Sequence, residues 1–242
     1  MPTILHRLLD AATSAGGGGG ASLRAIVCGS APLSEALATR ALDTFGPMLF
    51  NLYGTSESGL VSLATPDDLR SSPRTVGRVL PGVTVRIVGT DGSDAASGEV
   101  GRIVVYARQV PEGFDTGDLG HRSDEGLLFL HGRADDLIVR GGENLFPQMI
   151  EDRVCAEFDS IRECAVIAVP DDSEFGSELH LFAVLTPDHR DTAESLLRQF
   201  EEHLPRVIRP TRLTLVDALP RNLSGELVRR RLQSVAGLRS SS

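Results

Sequence analysis

The sequence predicts a mixed α/β chain: a leading part of parallel-sheet type, a β-rich middle, and a small α+β unit at the end. Three observations carry this. Strand-like and helix-like stretches alternate from Leu23 to Tyr53, the pattern of strands joined by crossing helices. Between Thr75 and Tyr106, polar and apolar residues alternate and are punctuated by Gly and Pro, as in short half-buried strands. Beyond Gly141-Gly142 the last third supplies strands and helices of its own. At 242 residues, 41% hydrophobic and 24% charged, the chain can bury a core in one large or two modest units.

Ile4, Leu5, Leu8 and Leu9 outline an amphipathic helix that ends near Ser14. Gly16 to Gly20 reads as a flexible surface loop, because five glycines have too much backbone freedom to order unaided. Leu23–Cys28 is an apolar strand, and Gly29-Ser30-Ala31-Pro32 turns out of it. Ser34 then caps a helix that buries Leu37, Ala41, Leu42 and Phe45. Met48–Tyr53 is the next strand, and at its carboxyl end it delivers Tyr53-Gly54-Thr55-Ser56-Glu57, where open α/β sheets collect ligands.

Thr75–Val88 and Gly98–Tyr106 are the β-rich strands, with Asp91-Gly92 marking a hairpin between them. Asp115 to Gly120 reads as a tight loop holding a free carboxylate at Asp118, and Gly126–His131 as one more strand. In the final third, Glu163–Val169, Leu179–Leu185 and Arg212–Leu215 are strands and Ala193–Leu204 is a helix. Leu227, Val228, Leu232 and Val235 suggest a terminal helix, and Ser240–Ser242 reads as a frayed end.

Composition excludes several functions. A formal charge of −9 argues against a nucleic-acid surface, and Arg229-Arg230-Arg231 reads as a solvated helix face. Cys28, Cys155 and Cys164 lack C-x-x-C spacing, which suggests small core residues rather than a disulfide framework or a zinc site. No apolar run approaches the roughly 18 residues of a membrane span, and His6, Arg7 and Asp10 interrupt the start where a signal peptide would be apolar. A cytoplasmic location is the default expectation. Every basic residue of the Lys/Arg class is arginine, so no lysine follows the glycines in the manner of a P-loop.

The stretch around which the chain is organised runs from Gly132 to Glu151. A basic residue and two carboxylates lead into Leu137-Ile138-Val139 and then Arg140-Gly141-Gly142-Glu143-Asn144. Glycines after a strand let backbone approach a ligand or take positive φ. Pro147 suits the first turn of a helix whose apolar positions are Ile150, Val154 and Phe158. The order read is strand, glycine loop, helix.

Together these loops resemble the adenylate-forming superfamily of acyl-CoA synthetases, luciferases and peptide-synthetase adenylation domains. Gly29 to Pro32 is similar to its G-G-A-P turn, Tyr53 to Glu57 to Y-G-x-T-E, and Thr116-Gly117-Asp118 to T-G-D. Gly132 through Asn144 resembles G-R-x-D-D-x-I-x-x-G-G-E-N, and Pro220 to Gly225 resembles P-R-N-x-x-G. The order and spacing of five motifs cover nearly the whole chain. The resemblance implies that residues 1–134 are the C-terminal part of the large AMP-binding domain. Residues 135–242 would be the small mobile domain, with the hinge at Asp135.

The implied chemistry is activation of a carboxylic acid, a fatty acid by expectation, to an acyl-adenylate and then a CoA thioester. ATP or AMP, Mg²⁺ and coenzyme A are the implied cofactors. Such a protein must hold the nucleotide and stabilise charge on the α-phosphate. By resemblance Gly29, Ser30, Ala31, Pro32, Asn51, Gly54 and Thr55 belong to the nucleotide site. Tyr53 offers a face to adenine, Ser56 a hydroxyl to phosphate, and Glu57 a carboxylate to Mg²⁺. Asp118 can accept from both ribose hydroxyls, and Arg133 can donate to the same sugar. Gly141, Gly142 and Glu143 would line the pantetheine path. A structural alternative stands beside each role: Tyr53 a core aromatic, Asp118 a turn residue, Arg133 a surface ion pair, Glu57 a solvated carboxylate, Asp135 a polar strand entry, and Gly141-Gly142 a plain turn.

The sequence departs from the family pattern twice. Only 28 residues precede Gly29, whereas the family's phosphate loop lies further upstream. The chain therefore reads as the C-terminal portion of a synthetase of about twice this length, with an upstream polypeptide as an expected partner and homodimerisation expected of an uncovered apolar face. Second, the catalytic position after Gly225 holds Glu226 where the family has lysine. At about 4 Å and an effective dielectric of about 20, one such charge pair is worth of order 4 kcal/mol, and its sign is reversed. Two functional readings result: a ligase module, and a degenerate relative that binds nucleotide, acyl group or protein without turnover.

Overall fold

The computed structural model describes residues 2–14, 23–171, 174–187, 189–222, 225 and 227–235. The Gly16–Gly20 loop, Glu226, two positions of the Pro220–Gly225 motif and the Ser240–Ser242 end lie outside the described residues. The chain divides into two compact units, Met1–Ala134 and Asp135–Ser242. Among the described residues no helix is long and apolar enough to cross a membrane.

The first unit begins with α1 (Pro2–Ser14), β1 (Ile26–Cys28), α2 (Glu35–Phe45), β2 (Leu49–Thr55), β3 (Gly59–Ala64) and α3 (Pro66–Ser71). It continues with β4 (Thr75–Val79), β5 (Thr84–Val88), β6 (Gly101–Ala107), β7 (Val110–Arg122) and β8 (Leu128–Arg133). These strands form one eight-stranded sheet in the order β1-β2-β3-β4-β8-β7-β6-β5. The fold is mixed α/β. Its parallel part is narrow, because β1 pairs with β2 in parallel while the remaining pairs are antiparallel.

Local chemistry sets the helix ends. Ser34 Oγ accepts from the Leu37 amide, and Gly46 at φ 74 ends α2. Thr65 and Asp68 close a capping box on α3 with Pro66 in its first turn. Leu5 and Leu9 of α1, Leu37, Ala41 and Leu42 of α2 and Leu69 of α3 pack with Cys28 and Leu49 in one core. A second core lies along the antiparallel strands and contains Tyr53, Val61, Ile87, Ile103, Val105 and Leu128.

The second unit opens with a 3₁₀ turn entered at Ala134 and ending at Asp136, then β9 (Ile138–Arg140), β10 (Glu143–Leu145), α4 (Pro147–Glu157), β11 (Ile161–Pro170), β12 (Ser177–Leu185), α5 (Ala193–His203), β13 (Arg212–Leu215) and α6 (Arg229–Val235). β11-β12-β13 form a sheet covered on both faces. Val166, Leu181 and Ala183 pack with α4 and α5, while Ile167, Phe182 and Val184 pack with Leu219 and Leu232. Burial on both faces explains why β11 and β12 read as continuous apolar runs.

The glycine loop differs from the expected strand, loop and helix. Arg140 pairs with Glu143, so Gly141-Gly142 is the two-residue turn of a hairpin. Both glycines have positive φ, 60° and 80°, as a type I′ turn demands. The short β10 carries a single buried residue, Leu145, too little apolar pattern to mark a strand.

Candidate functional site

The expected loop around Asp118 is instead part of β7. Arg102 pairs with Leu119 and Val104 with Asp115, so Thr116-Gly117-Asp118 bulges opposite Ile103. Gly117 takes φ 73, and a Cβ there would meet the Arg133 guanidinium at 2.7 Å. Glycine therefore lets Arg133 lie flat over the bulge. Thr116 is buried; its hydroxyl donates to Ile103 O at 3.1 Å and accepts from the Asp118 amide at 3.1 Å.

The Asp118 carboxylate is not free. Tyr53, at the far end of β2, donates its hydroxyl to Asp118 Oδ2 at 2.6 Å. Arg133, paired with Asp118 across β7 and β8, places Nη1 3.5 Å from Oδ1 and donates to Thr116 O at 2.7 Å. Three residues from three strands thus meet at one point. The side chain of Asp118 is 17% exposed and that of Arg133 51%, so the cluster opens to solvent. Burial first, then the Asp118 charge and hydrogen bond, raises the Tyr53 hydroxyl far above its ordinary range and keeps it a donor.

Two of the residues expected at the nucleotide are buried. Tyr53 is only 7% exposed, its ring belongs to the strand core and its hydroxyl is held on Asp118. Asn51, expected at the nucleotide, is buried and donates its amide to Thr75 O at 3.1 Å. Inward-facing positions of β2 alternate Leu49, Asn51, Tyr53, and the strand's period of two dictates both burials.

The other expected residues lie at nearby turns. Ser56 and Glu57 are exposed in the β2–β3 turn, braced by Thr55 Oγ1 at 2.9 Å from Ser58 Oγ and 3.1 Å from the Ser58 amide. Gly54 sits at the register shift that starts this turn. Gly29 to Pro32 leave the carboxyl end of β1 beside β2, and Ser30 takes φ 66, the one non-glycine residue with positive φ among the described residues. Sequence reasoning missed Thr116, Thr55 and Ser58 as supports, although the threonines stand inside the motifs.

In the second unit Asp135 is exposed in the 3₁₀ turn, and Gly141, Gly142 and Glu143 form an exposed tip. Below the tip, Arg140 is buried, donates Nε to Ser177 O at 2.9 Å, and lies 4.4 Å from the Phe175 ring centre. Arg229 corrects the solvated-face reading of the arginine run. Its Nη1 reaches Glu151 Oε1 at 2.5 Å and Val166 O at 2.9 Å, its Nη2 reaches Oε2 at 3.1 Å, and Nε lies 3.6 Å from Asp136. Burial pulls its pKa down, but Glu151 and Asp136 outweigh that and hold it above the ordinary value. Arg230 and Arg231 are the exposed members. The signal for Glu151 was available: it precedes Val154 and Cys155 by three and four positions, on the helix's apolar side.

Residues 1–114 match the family model "AMP-binding enzyme", and residues 151–226 match "AMP-binding enzyme C-terminal domain". The 2-succinylbenzoate–CoA ligase of Lactococcus lactis is 33% identical over 96% of this chain and 50% of its own length. The fatty acid–[acyl-carrier-protein] ligase ScoC of Streptomyces coeruleorubidus is 29% identical over 88% of this chain and 44% of its own. The solved o-succinylbenzoate CoA synthetase of Bacillus subtilis, in complex with its acyl-adenylate intermediate, superposes with TM-score 0.80 at 26% identity, covering 94% of this chain and 49% of that one. The chain spans about half the length of the relatives it matches. From the motif loops, the two matched models and these relatives, the chain belongs to the adenylate-forming AMP-binding enzymes.

Proposed function

We propose that this chain supplies the sugar-binding face and the mobile lobe of an ATP-dependent acid–thiol ligase. The reaction couples a carboxylate to AMP, releasing pyrophosphate, and then transfers the acyl group to the thiol of coenzyme A. The meeting of Tyr53, Asp118 and Arg133 carries the reading. Each Asp118 oxygen has more than one acceptor site, so after receiving Tyr53 and facing Arg133 the carboxylate can still accept a ribose diol. The remaining Arg133 donors lie beside it.

Ser56 can donate to a phosphate oxygen from the adjacent turn. Glu57, exposed beside it, suits Mg²⁺, which typically takes one or two carboxylates and completes its shell with phosphate and water oxygens. When bound, the ion would neutralise phosphate charge. The Gly141-Gly142 tip presents backbone without side chains, which suits a narrow passage for pantetheine. Asp135, where the second unit begins, is the proposed hinge. A fatty acid is the proposed substrate. ScoC is named for a fatty acid and the Lactococcus lactis relative for an aryl acid, so a test panel needs both.

One observation favours a second reading, that of a binder without turnover. Glu226 occupies the lysine position, and Arg229, the nearest described cation in sequence, is fully engaged by Glu151, Val166 and Asp136. A negative charge beside an attacking carboxylate and a phosphate costs several powers of ten in rate. Calorimetric titration with AMP and with a non-hydrolysable acyl-adenylate mimic tests the shared core of both readings. Binding that Asp118→Asn weakens is expected; no binding of either ligand overturns the ligase reading and leaves the degenerate one only its protein-binding form. A pyrophosphate-release assay across fatty and aryl acids separates them. Negligible turnover is expected for this chain, and robust turnover would rule out the degenerate reading.

A further inference from the structure

We propose that Cys155 and Cys164 form a redox-active dithiol, a modification site that a hydroperoxide closes to a disulfide within the second unit. The two sulfurs lie 3.6 Å apart, one on α4 and one on β11, in direct contact although nine positions separate them. A disulfide needs about 2.05 Å, so the sulfurs must approach by only about 1.5 Å. The pair is graded in access. Cys164 is buried and also lies 3.6 Å from Glu151 O, whereas Cys155 is partly exposed. The third cysteine, Cys28, is buried in the other unit.

The gradation assigns the order of events. The partly exposed Cys155 gives up its thiol proton and its thiolate attacks the distal oxygen of a hydroperoxide; the O–O bond breaks, and the leaving alkoxide or hydroxide takes up that proton to depart as alcohol or water. Cys155 is now a sulfenic acid, oxidised by two electrons, and the peroxide is reduced by two. Cys164 then attacks the Cys155 sulfur, its proton leaves with the departing hydroxide as water, and the S–S bond forms. The Cys155 sulfur beside it, and then burial, raise the Cys164 thiol pKa, which agrees with the more accessible Cys155 meeting the oxidant first. Closure ties α4 to β11 beside Glu151, the residue that holds Arg229.

The inference is independent of the ligase reading and is tested on the native chain. One equivalent of hydrogen peroxide, alkylation of remaining thiols and peptide mapping should show a Cys155–Cys164 pair lighter by two hydrogens, with Cys28 still alkylated. Thermal unfolding of the oxidised chain should shift upward and return on treatment with dithiothreitol. In Cys164→Ala, Cys155 should accumulate as a sulfenic acid that dimedone traps several-fold more than in the parent chain. Cys155 ending as a sulfinic acid while Cys164 remains alkylatable would overturn the proposal. So would equal dimedone labelling of the parent and Cys164→Ala, because Cys164 would then not resolve the sulfenic acid.

Discussion

Two arginine–carboxylate clusters in this molecule look alike in sequence and differ in kind. Arg133 and Asp118 are half open: the arginine side chain is 51% exposed, the pair is 3.5 Å apart, and both groups keep unused valences. Arg229 and Glu151 are closed: their side chains are 17% and 7% exposed, and the carboxylate receives Arg229 twice and the Val166 amide once. Spare donors and acceptors at a surface can be spent on a ligand. A saturated buried pair cannot, so it ties structure together. What separates a binding site from a brace is the valence left over, not the charges.

The comparison breaks most visibly at the closed cluster. Glu151→Ala leaves the Arg229 guanidinium buried beside Val166 with Asp136 at 3.6 Å as its remaining carboxylate. Removing one partner of a buried pair costs about 3–5 kcal/mol. Denaturant unfolding that separates the two units should report this loss in the second and leave the first unchanged. A cost below about 1 kcal/mol would place the pair with ordinary surface bridges.

At the open cluster a substitution should act on binding more than on folding. Asp118→Ala removes charge-assisted acceptors worth about 1.5–3 kcal/mol each toward a ribose diol, so AMP affinity should fall at least tenfold. It also strands the Tyr53 hydroxyl, a cost of about 1–3 kcal/mol that Tyr53→Phe in the same background should recover. The readout is calorimetric affinity beside an unfolding curve. An affinity unchanged by Asp118→Ala would make the open cluster a brace as well.

How far these clusters were legible follows from their range in the chain. Ser34, the Pro147 turn and the covered strands β11 and β12 are local patterns, and they stand where periodicity and capping place them. Asp118 binds a tyrosine 65 residues earlier and Glu151 an arginine 78 residues later, and no local window holds both partners. A Thr-Gly-Asp triplet therefore reads as a loop with a free carboxylate when it is a strand bulge. Three adjacent arginines read as one solvated face, yet helical geometry turns Arg229 inward with Leu232, three positions on, and leaves Arg230 and Arg231 outside.

A smaller effect lies further along the pairing of β7 with β8. His121 Nδ1 and His131 Nε2 are 2.8 Å apart, so one ring donates and the other accepts, and both cannot be charged. Burial first, then His121 and Arg74, lowers His131 from 6.5 to about 4. Above pH 6.5 the folded and unfolded chains are alike at this group. As pH falls from about 6.5 to about 4, the unfolded chain takes up a proton that the folded one refuses, and stability is lost over that window. The ring is partly exposed, so solvent screening reduces the loss to roughly 1–2 kcal/mol. His131→Gln should flatten the first unit's pH dependence there; an unchanged slope would assign it to other groups.

The smallest effect concerns the turn that brings β1 to the site. Ser30 holds φ 66 in a left-handed conformation that an L-residue with a Cβ enters at a cost of about 1–2 kcal/mol, whereas glycine enters it freely. The resembling G-G-A-P turn carries glycine there, consistent with a backbone demand rather than a need for a hydroxyl. Ser30→Gly relieves the strain but gives the unfolded chain more freedom to lose, so the net gain should be about 1 kcal/mol or less. The unfolding midpoint of the first unit should rise by a few degrees while AMP affinity holds. A fall in affinity without a change in midpoint would instead make the Ser30 hydroxyl a ligand contact, adding the turn after β1 to the three strands of the open cluster.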